Sequence, residues 1–201
     1  MFSGIIEKRA GVHAVSEEDG TLILEIATGF EGLELGESIA VNGVCLTVVR
    51  FNAAGMATFF VSRETITRSN LGHLVPLAHV NLERAVKLET RLSGHLVQGH
   101  VDGLGVLESI TPDAEAFKLV FVLPAAVGRY CVEKGSIAIN GISLTLNSVE
   151  HEDSQTRVGI TIIPHTWAHT NLSDLSEGDT VNVEADVIAK YVERLCKPYL
   201  S

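Results

Sequence analysis

The sequence predicts a mainly β protein with two similar closed antiparallel six-stranded β-barrels, formed by an internal duplication, and one C-terminal α-helix. A ten-residue stretch, Ser38 to Thr47, returns 98 residues later as Ser136 to Thr145, with seven of the ten positions identical. A repeat near half the chain length indicates two copies of one domain rather than a solenoid of short units. Short strand patterns between turn signals, with little helix between them, favour a barrel in each half.

The strands of the first half are predicted from runs of β-branched and aromatic residues. Such runs extend from Thr21 to Ile26, from Thr58 to Ser62 and from Val80 to Glu83. Within the repeated stretch, β-branched residues flank Asn42-Gly43, which is the strongest short-range signal for a hairpin. A short helix or turn is expected from Glu64 to Gly72.

The second half repeats the order of the first. The matched segments are Gly4-Ile5-Ile6-Glu7 with Gly99-His100-Val101-Asp102, Thr65 with Thr166, Asn70-Leu71 with Asn171-Leu172, and Val80-Asn81-Leu82-Glu83 with Val181-Asn182-Val183-Glu184. We therefore place the N-terminal barrel in residues 1–96, the C-terminal barrel in 97–185, and the helix with its tail in 186–201. The linker, roughly residues 85–96, has no Pro/Ser-rich spacer, so the barrels are expected to lie close together.

The C-terminal helix is predicted from apolar residues that fall on one helical face. They are Val187, Ile188, Tyr191, Val192 and Leu195. This apolar stripe either folds back on its own barrel or packs against copies of itself. We favour the second arrangement, which predicts an oligomer.

The composition argues against several classes of function. The net charge of −10 disfavours nucleic acid as the main partner, because binding its backbone requires clustered cations. No apolar run reaches the length of a membrane span, and no basic segment followed by an apolar one suggests a signal peptide. The three cysteines are widely spaced without a C-x-x-C pair, so neither a zinc site nor a disulfide framework is indicated. We expect a reduced, cytoplasmic protein of enzyme size.

Five motifs together resemble riboflavin synthase, a family of lumazine-binding barrels. They are MFSGIIE at 1–7, NGVCLT at 42–47, GHLVQGHVDG at 94–103, NGISLT at 140–145 and IPHT at 163–166. The resemblance implies a homotrimer assembled by the C-terminal helix, in which each barrel binds one 6,7-dimethyl-8-ribityllumazine. It also implies that the N-terminal barrel of one subunit faces the C-terminal barrel of its neighbour. A lumazine synthase shell is left open as a further partner.

The reaction implied by the resemblance is a dismutation, the last step of riboflavin biosynthesis. A four-carbon unit passes from one lumazine to the other, giving riboflavin and 5-amino-6-(ribitylamino)uracil, without a cofactor or a metal. The duplication then has a physical reason, because two identical substrates need two similar pockets in which they play different parts.

Four residues are implied as catalytic. Cys45 stands where the second copy has Ser143, and from the residues alone a lone cysteine is more often a small apolar core group. The resemblance makes it the thiol facing the first lumazine, either attacking the electrophilic C7 or orienting a hydroxyl or water. The Ser143 and Thr145 hydroxyls, which could otherwise satisfy backbone groups, become ligands of the ring system. His100 is implied at the N-terminal pocket, where it would transfer the proton of the C7 methyl or orient the substrate.

A second histidine, His95, precedes His100 by five residues, so on one strand the two would point to opposite faces. That geometry is poor for a shared metal. Taken singly, each histidine is more typical of a surface or hydrogen-bonded group, and only His100 is assigned to the site.

The pocket walls are also carried over from the resemblance. Beyond Cys45, His100, Ser143 and Thr145, the implied substrate-binding residues are Gly4, Ile5, Ile6, Ser38, Leu46, Thr47, Phe60, Val61, Ser62, Arg63, Glu64, Thr65, Gly99, Val101, Lys134, Leu144, Ile162, Ile163, Pro164, His165, Thr166, Trp167 and Asp186. From the residues alone, Lys134 is interpreted as a solvated charge and Asp186 as the N-cap of the last helix. Trp167 stands where a smaller aliphatic residue is expected.

Two other functions compete with the enzyme. A non-catalytic lumazine or flavin carrier would have the same duplicated fold, but such proteins tend to lose the pocket residues of one barrel. Here both halves keep Asn-Gly-x-x-Leu-Thr, and Cys45 and His100 are present. A flavin-dependent reductase needs a nucleotide-binding domain, and the segment after Gly103-Leu104-Gly105 has Glu108 in place of the third fingerprint glycine. We therefore prefer the synthase.

Overall fold

The computed structural model describes residues 1–89 and 91–197. Six antiparallel strands of the first half close into a barrel in the order β1-β2-β5-β4-β3-β6. They are β1 (Lys8–Glu18), β2 (Thr21–Ala27), β3 (Ser38–Val41), β4 (Val44–Phe51), β5 (Met56–Val61) and β6 (His79–Arg84). Helix α1 (Arg63–Arg68) and a 3₁₀ turn (Asn70–His73) connect β5 to β6.

The second half follows the same order with one interruption. Its elements are β7 (Gly103–Asp113), β8 (Ala116–Pro124), α2 (Ala125–Gly128), β9 (Ser136–Ile139), β10 (Ile142–Thr145), β11 (Ser148–His151), β12 (Gln155–Ile162), α3 (Pro164–His169), a 3₁₀ turn (Asn171–Asp174) and β13 (Thr180–Ala185). Helix α4 (Val187–Cys196) ends the described part of the chain. The predicted duplication and C-terminal helix are confirmed.

The second barrel differs from the prediction because its sheet is curled but not closed. Its seven strands have the order β10-β9-β13-β7-β8-β12-β11. In the first half, β4 pairs with β3 over its first residues and with β5 over its last, with an irregular register between Val48 and Arg50. In the second half this strand is broken at Leu146 and Asn147, which leaves β10 and β11 at the two ends of one sheet. Leu146 is fully buried, as is its counterpart Val48 in the unbroken strand of the first half, so burial at this position does not explain the break.

Alternation along the strands separates each core from an outer face. On β4, the side chains of Val44, Leu46 and Val48 are buried, whereas Thr47 is exposed and Cys45 is half-buried. Because successive strand residues point to opposite faces, Cys45 and Thr47 share the outer face of the first barrel. The largest fully buried side chains are Phe2, Leu24, Ile26, Ile39, Phe59, Leu71, Leu82, Leu107, Leu119, Phe121, Leu123 and Ile137.

The two halves meet at an inter-barrel junction made of two hairpin tips and one bridge. The tips are Asn42-Gly43 and Asn140-Gly141, whose positive φ angles suit the tight turns that the sequence predicts. The tips touch, since a Cβ added to Gly43 would lie 2.6 Å from the Gly141 nitrogen. Beside them, Phe2 forms a β-bridge with Val97, its counterpart in the repeat. The barrels are therefore in direct contact, as the short linker predicts.

Six asparagines surround this junction with reciprocal hydrogen bonds. They are Asn42, Asn70, Asn81, Asn140, Asn171 and Asn182. The Asn81 amide donates to the Asn140 carbonyl at 3.0 Å, and the Asn182 amide donates to the Asn42 carbonyl at 2.8 Å. Each half thus binds the hairpin tip of the other, which fixes the relative position of the two barrels.

Helix α4 docks on the second barrel through its polar side. Lys190 Nζ lies 2.7 Å from Asp102 Oδ1, and the Tyr130 hydroxyl donates to Glu193 at 3.0 Å. On the opposite side, Ile188, Tyr191, Val192 and Leu195 are 53–69% exposed. The apolar stripe therefore does not fold back on its own barrel. No helix in residues 1–89 and 91–197 is long and apolar enough to span a membrane.

Candidate functional site

The predicted catalytic side chains occupy equivalent places on the outer faces of the two halves. On the first barrel, Cys45 and Thr47 of β4 pair with Ala40 and Ser38 of β3. On the second, the register of β10 and β9 places Ser143 opposite Ala138 and Thr145 opposite Ser136. The structure thus brings together a thiol and two hydroxyls in one half, and three hydroxyls in the other. The two sites differ in chemistry at Cys45 and Ser143.

Each outer face is completed by a loop from the other half of the sequence. The Gly4 carbonyl accepts a hydrogen bond from the Ser143 N–H at 2.8 Å, and the Gly99 carbonyl accepts one from the Cys45 N–H at 2.9 Å. Segment 4–6 therefore lies at the C-terminal site and segment 99–101 at the N-terminal site. The exchange has a simple cause, because the bridge between Phe2 and Val97 makes the two loops cross.

Side chains of these loops also pack against the core of the other half. Ile6 packs against the core of the second half, and Val101 packs against the core of the first. Ile5 is exposed, and His100 is exposed next to the Gly99 carbonyl that contacts Cys45. His100 thus lies beside the N-terminal site. Segment 4–6 lies at the C-terminal site, whereas residues 60–65 belong to the first barrel, at the end of β5 and the start of α1.

Several predicted wall residues turn their side chains into the cores. Leu46, Val61 and Ile162 are at most 5% exposed, so only their main chains can reach a ligand on the outer face. Leu144 packs against the second core, and Trp167 packs there with its ring stacked on Phe117, the centroids 4.1 Å apart. Trp167 therefore fills the space beneath α3.

The loop after β5 presents fewer groups to the first site than the sequence suggests. Phe60 is 50% exposed on the outer face. Ser62 caps α1, with its hydroxyl 3.0 Å from the Thr65 hydroxyl. The Arg63 side chain instead donates to the Asp19 carbonyl, and Glu64 pairs with Arg68 at 3.2 Å. The side chains of Arg63 and Glu64 are therefore engaged with these other partners.

The corresponding loop of the second half is also partly engaged. Ile163 is the residue before α3, and Pro164 begins that helix. Thr166 is half-buried and its carbonyl accepts from Thr170 at 2.8 Å, while the His165 ring stacks on His169 at 4.2 Å. Ile163 and Pro164 are exposed and remain available to a ligand.

The two charged residues carried over to the second site have backbone roles. Lys134 is exposed with a φ of +64°, and its N–H donates to the Leu146 carbonyl at 2.8 Å. Its counterpart Gly36 has a φ of +84°. A lysine in a left-handed conformation is unusual, although Leu77 and Ala114 have positive φ angles as well. Asp186 caps α4, because Oδ1 accepts from the Ile188 N–H at 2.9 Å.

Two buried glutamates that the sequence analysis did not assign hold the crossing loops. Glu83 accepts from the Ser3 N–H at 2.7 Å and from the Gly4 N–H at 2.9 Å. Glu184 accepts from the main-chain N–H groups of residues 98, 99 and 100 at 2.7–2.9 Å. Burial raises the pKa of both carboxyl groups above the ordinary value of 4.5. The sequence signal is the repeat itself, because both halves have a glutamate at the same position, Glu83 and Glu184.

The raised pKa of Glu184 predicts a pH-dependent stability. A carboxyl whose pKa is higher in the folded state contributes stability below about pH 4.5, and this is lost as the pH rises through the folded value. We expect Glu184→Gln to gain stability relative to the wild type as the pH rises from about 4 to about 7. Urea unfolding at matched protein concentration measures the difference.

The control for this titration is Glu115→Gln, which changes an exposed turn residue in the same way. Its stability relative to the wild type should not change over the same pH range. A constant difference for Glu184→Gln would contradict the raised pKa.

The second histidine, His95, lies at the C-terminal site rather than on the surface. Its side chain is buried, and Nδ1 is 2.8 Å from the Ser143 Oγ. Burial lowers the pKa of the imidazole, although the Asp186 carboxylate opposes this effect. Within residues 1–89 and 91–197, the Cys45 thiol makes no comparable hydrogen bond.

A surface cleft lies beside these sites, at the linker. It has a volume of about 970 Å³, and Ile5 and Ser38 are the only predicted site residues in its lining. Most of its charged lining is acidic, with Arg84, Lys87 and Arg91 as the cations. No cluster of three or more metal-ligating side chains occurs among the described residues.

Comparison with known proteins gives full-length matches. Residues 3–85 and 98–186 match the lumazine binding domain family. Riboflavin synthase of Mycobacterium tuberculosis is 46% identical over 202 aligned positions, which cover 98% of both chains. Riboflavin synthase of Meyerozyma guilliermondii is 40% identical, covering 96% of this chain and 85% of the relative, and that of Bacillus subtilis is 37% identical, covering 96% and 89%.

Solved structures of LumP have the same fold. LumP complexed with riboflavin superimposes with a TM-score of 0.81 at 26% identity, covering 92% of this chain and 99% of LumP. LumP complexed with 6,7-dimethyl-8-(1'-D-ribityl) lumazine gives a TM-score of 0.79 at 25% identity with the same coverage.

Proposed function

Because the chain belongs to the riboflavin synthase family of enzymes, we propose that it converts two molecules of 6,7-dimethyl-8-ribityllumazine into riboflavin and 5-amino-6-(ribitylamino)uracil. The observation that supports this most is the pair of equivalent outer-face sites that differ at Cys45 and Ser143. Transfer of a four-carbon unit between identical substrates requires one to donate and the other to accept. Two similar pockets with different side chains provide that distinction.

The roles of the side chains follow from their positions. Cys45, Thr47 and Ser38 form the polar part of the N-terminal site, and the exposed imidazole of His100 approaches it from the loop. An imidazole is a general base suited to removal of a proton from the C7 methyl. Ser143 and Thr145 form the polar part of the C-terminal site, with Lys134 and Asp186 as charged groups for the ribityl chain.

The function is tested by anaerobic incubation of the chain with 6,7-dimethyl-8-ribityllumazine alone, following the absorbance of riboflavin. We expect one riboflavin for every two lumazines consumed. Bound but unconverted fluorescent lumazine would instead identify a carrier, the alternative that the structural likeness to LumP supports. The identity of 36–46% to riboflavin synthases, against 25–26% to LumP, favours the enzyme.

Replacing His100 by glutamine should slow turnover by about 100-fold, as for loss of a general base, while lumazine binding stays detectable by fluorescence. The exposed His13 of β1 offers a matched control, since His13→Gln should leave turnover unchanged. An unchanged rate for His100→Gln would remove His100 from the mechanism.

We also propose that the chain works as a homotrimer assembled through the exposed apolar face of α4. Four large apolar side chains on one face of a helix are rarely left to solvent in a monomer. In the trimer, the N-terminal site of one subunit would face the C-terminal site of its neighbour. The three free cysteines fit work in a reducing cytoplasm, and a lumazine synthase shell remains a proposed further partner.

Placing a charge on this face should separate the subunits. We expect Leu195→Glu to reduce the mass in solution from three subunits to one subunit of 21.6 kDa, because a carboxylate cannot be buried there without a partner. Light scattering after size exclusion measures the mass. The same change at the fully exposed Leu88, Leu88→Glu, should leave the trimer intact. A trimeric Leu195→Glu would place the interface elsewhere.

A further inference from the structure

His95 is held against the C-terminal site from two sides. Its backbone N–H donates to the Ser3 carbonyl at 3.1 Å, and its ring Nδ1 lies 2.8 Å from Ser143 Oγ. The preceding residue must be glycine, because a Cβ at Gly94 would lie 2.0 Å from the Ser3 oxygen and 2.9 Å from Ser143 Oγ. The main chain at Gly94 and His95 is therefore packed closely against Ser3 and Ser143, and the His95 ring is buried beside the Ser143 hydroxyl.

The surroundings of the other ring nitrogen, Nε2, indicate which atom donates in the hydrogen bond between His95 Nδ1 and Ser143 Oγ. His95 is 93% buried, since its exposed fraction is 7%, and Nε2 has no hydrogen-bond partner among the described residues. A proton on Nε2 would be a buried donor without an acceptor, which is rarer and more costly than an unpaired acceptor. The proton of the neutral ring is therefore expected on Nδ1, with Nε2 unprotonated.

We propose that His95 is a positioning residue whose Nδ1–H donates to the Ser143 hydroxyl oxygen, so that Ser143 presents its own hydroxyl hydrogen to the ligand. This inference rests on the proposed function, since the ligand is a lumazine ring and the receiving group is one of its hydrogen-bond acceptors. One lone pair of Ser143 Oγ accepts from His95, and the backbone N–H of Ser143 donates to the Gly4 carbonyl. The hydroxyl hydrogen and the second lone pair of Oγ then remain, and the hydrogen is the one that can donate to an acceptor of the ligand.

The arrangement deepens the difference between the two sites. Cys45 occupies the equivalent strand position, but in the described part of the chain its sulfur has no hydrogen-bonding histidine. The N-terminal site therefore offers an unoriented thiol, and the C-terminal site offers a hydroxyl with a fixed direction. A fixed donor is more effective than a rotating one at stabilising charge that develops on a bound ring.

The tautomer is tested on the wild-type chain by ¹⁵N NMR of selectively labelled histidine, which needs neither turnover nor a variant that folds. We expect the His95 ring to show a protonated Nδ1 and an unprotonated Nε2. A ring protonated at Nε2 would overturn the proposal, because Ser143 would then donate to His95 instead of to the ligand.

The coupling between His95 and Ser143 is tested by two substitutions, each of which places an amide group where one of the ring nitrogens lies. Asparagine puts its amide where Nδ1 lies, and glutamine puts its amide near Nε2. We expect His95→Gln to lower kcat by about 10-fold and His95→Asn by less than about 3-fold, with the lumazine dissociation constant nearly unchanged. The exposed His13→Gln variant again serves as the control.

A double-mutant cycle separates this role from a merely structural one. In a Ser143→Ala background, His95→Gln should cause no further loss of kcat, because the group through which it acts is gone. The proposal would be overturned if His95→Gln lowered kcat equally in the wild-type and Ser143→Ala backgrounds. It would also be overturned if His95→Gln kept more activity than His95→Asn. A wild-type chain that makes no riboflavin would instead reject the proposed function, while the NMR result would still decide the tautomer.

Discussion

Replacing Phe2 by alanine is expected to lower the free energy of unfolding by about 3–5 kcal/mol and to reduce turnover by about 100-fold. Phe2 is fully buried in a small cluster with Ala40 of β3, Ala138 of β9 and Val97. Truncation leaves a cavity at the one point where both barrels and both crossing loops meet. The loops that complete the two sites would then shift, and misplacement by about an ångström is costly in catalysis.

Urea unfolding and the riboflavin assay measure the two effects of the Phe2 truncation. Phe2→Leu should recover most of the stability, since it keeps most of the volume. Phe51→Ala removes the same group from a 39% exposed position and should cost much less. Equal losses for Phe2→Ala and Phe51→Ala would show that the junction does not depend on Phe2.

Replacing Asn81 by alanine is expected to lower the free energy of unfolding by about 3 kcal/mol or more. The Asn81 amide group donates to the Asn140 carbonyl at 3.0 Å and to Asn171 Oδ1 at 2.8 Å, and its oxygen accepts from the Asn171 N–H at 2.7 Å. Asn81 is fully buried, so water cannot replace these bonds. Each partner left unpaired costs about 1–3 kcal/mol.

The reciprocal residue Asn182 provides a check on this expectation. It donates to the Asn42 carbonyl and accepts from the Asn70 N–H, so Asn182→Ala should cost a similar amount. The double variant should lose less than the sum, because the first change already opens the shared junction. Asn147→Ala, an exposed asparagine with one bond to Thr161, should cost about 1 kcal/mol. If the two losses of stability added in full, Asn81 and Asn182 would stabilise the junction independently of each other.

Much of the fold could be predicted because it depends on local patterns. The hairpin at Asn42-Gly43 and its copy follow from turn chemistry, and the alternation on β4 places Cys45 and Thr47 on one face. The helix α4 follows from its apolar stripe. The break between β10 and β11 could not be predicted, because Leu146 and Val48 are both apolar and both lie buried in the core of their half.

The site was only partly predictable because it depends on contacts between distant segments. Nothing near Gly4 in sequence indicates that its carbonyl bonds to Ser143, 139 residues away. The sequence predicts a surface or hydrogen-bonded histidine at position 95, since the spacing to His100 carries no information about burial. Glu83 and Glu184 were matched as repeat residues without a role, because a carboxylate that binds backbone N–H groups has no local pattern.

The reciprocal junction also constrains how the chain can fold during synthesis. The bond from Asn182 to the Asn42 carbonyl joins residues 140 positions apart, so this contact cannot form before the second half has left the ribosome. At about 5–20 residues per second, that delay is about 5–20 s after the first barrel is complete. During this interval Phe2 lacks its contact with Ala138, and the hairpin tip at Gly43 lacks its contact with Gly141. The part of the inter-barrel junction that belongs to the first barrel is therefore exposed to solvent during this interval. Pairing of the two halves is expected to be a slow folding step.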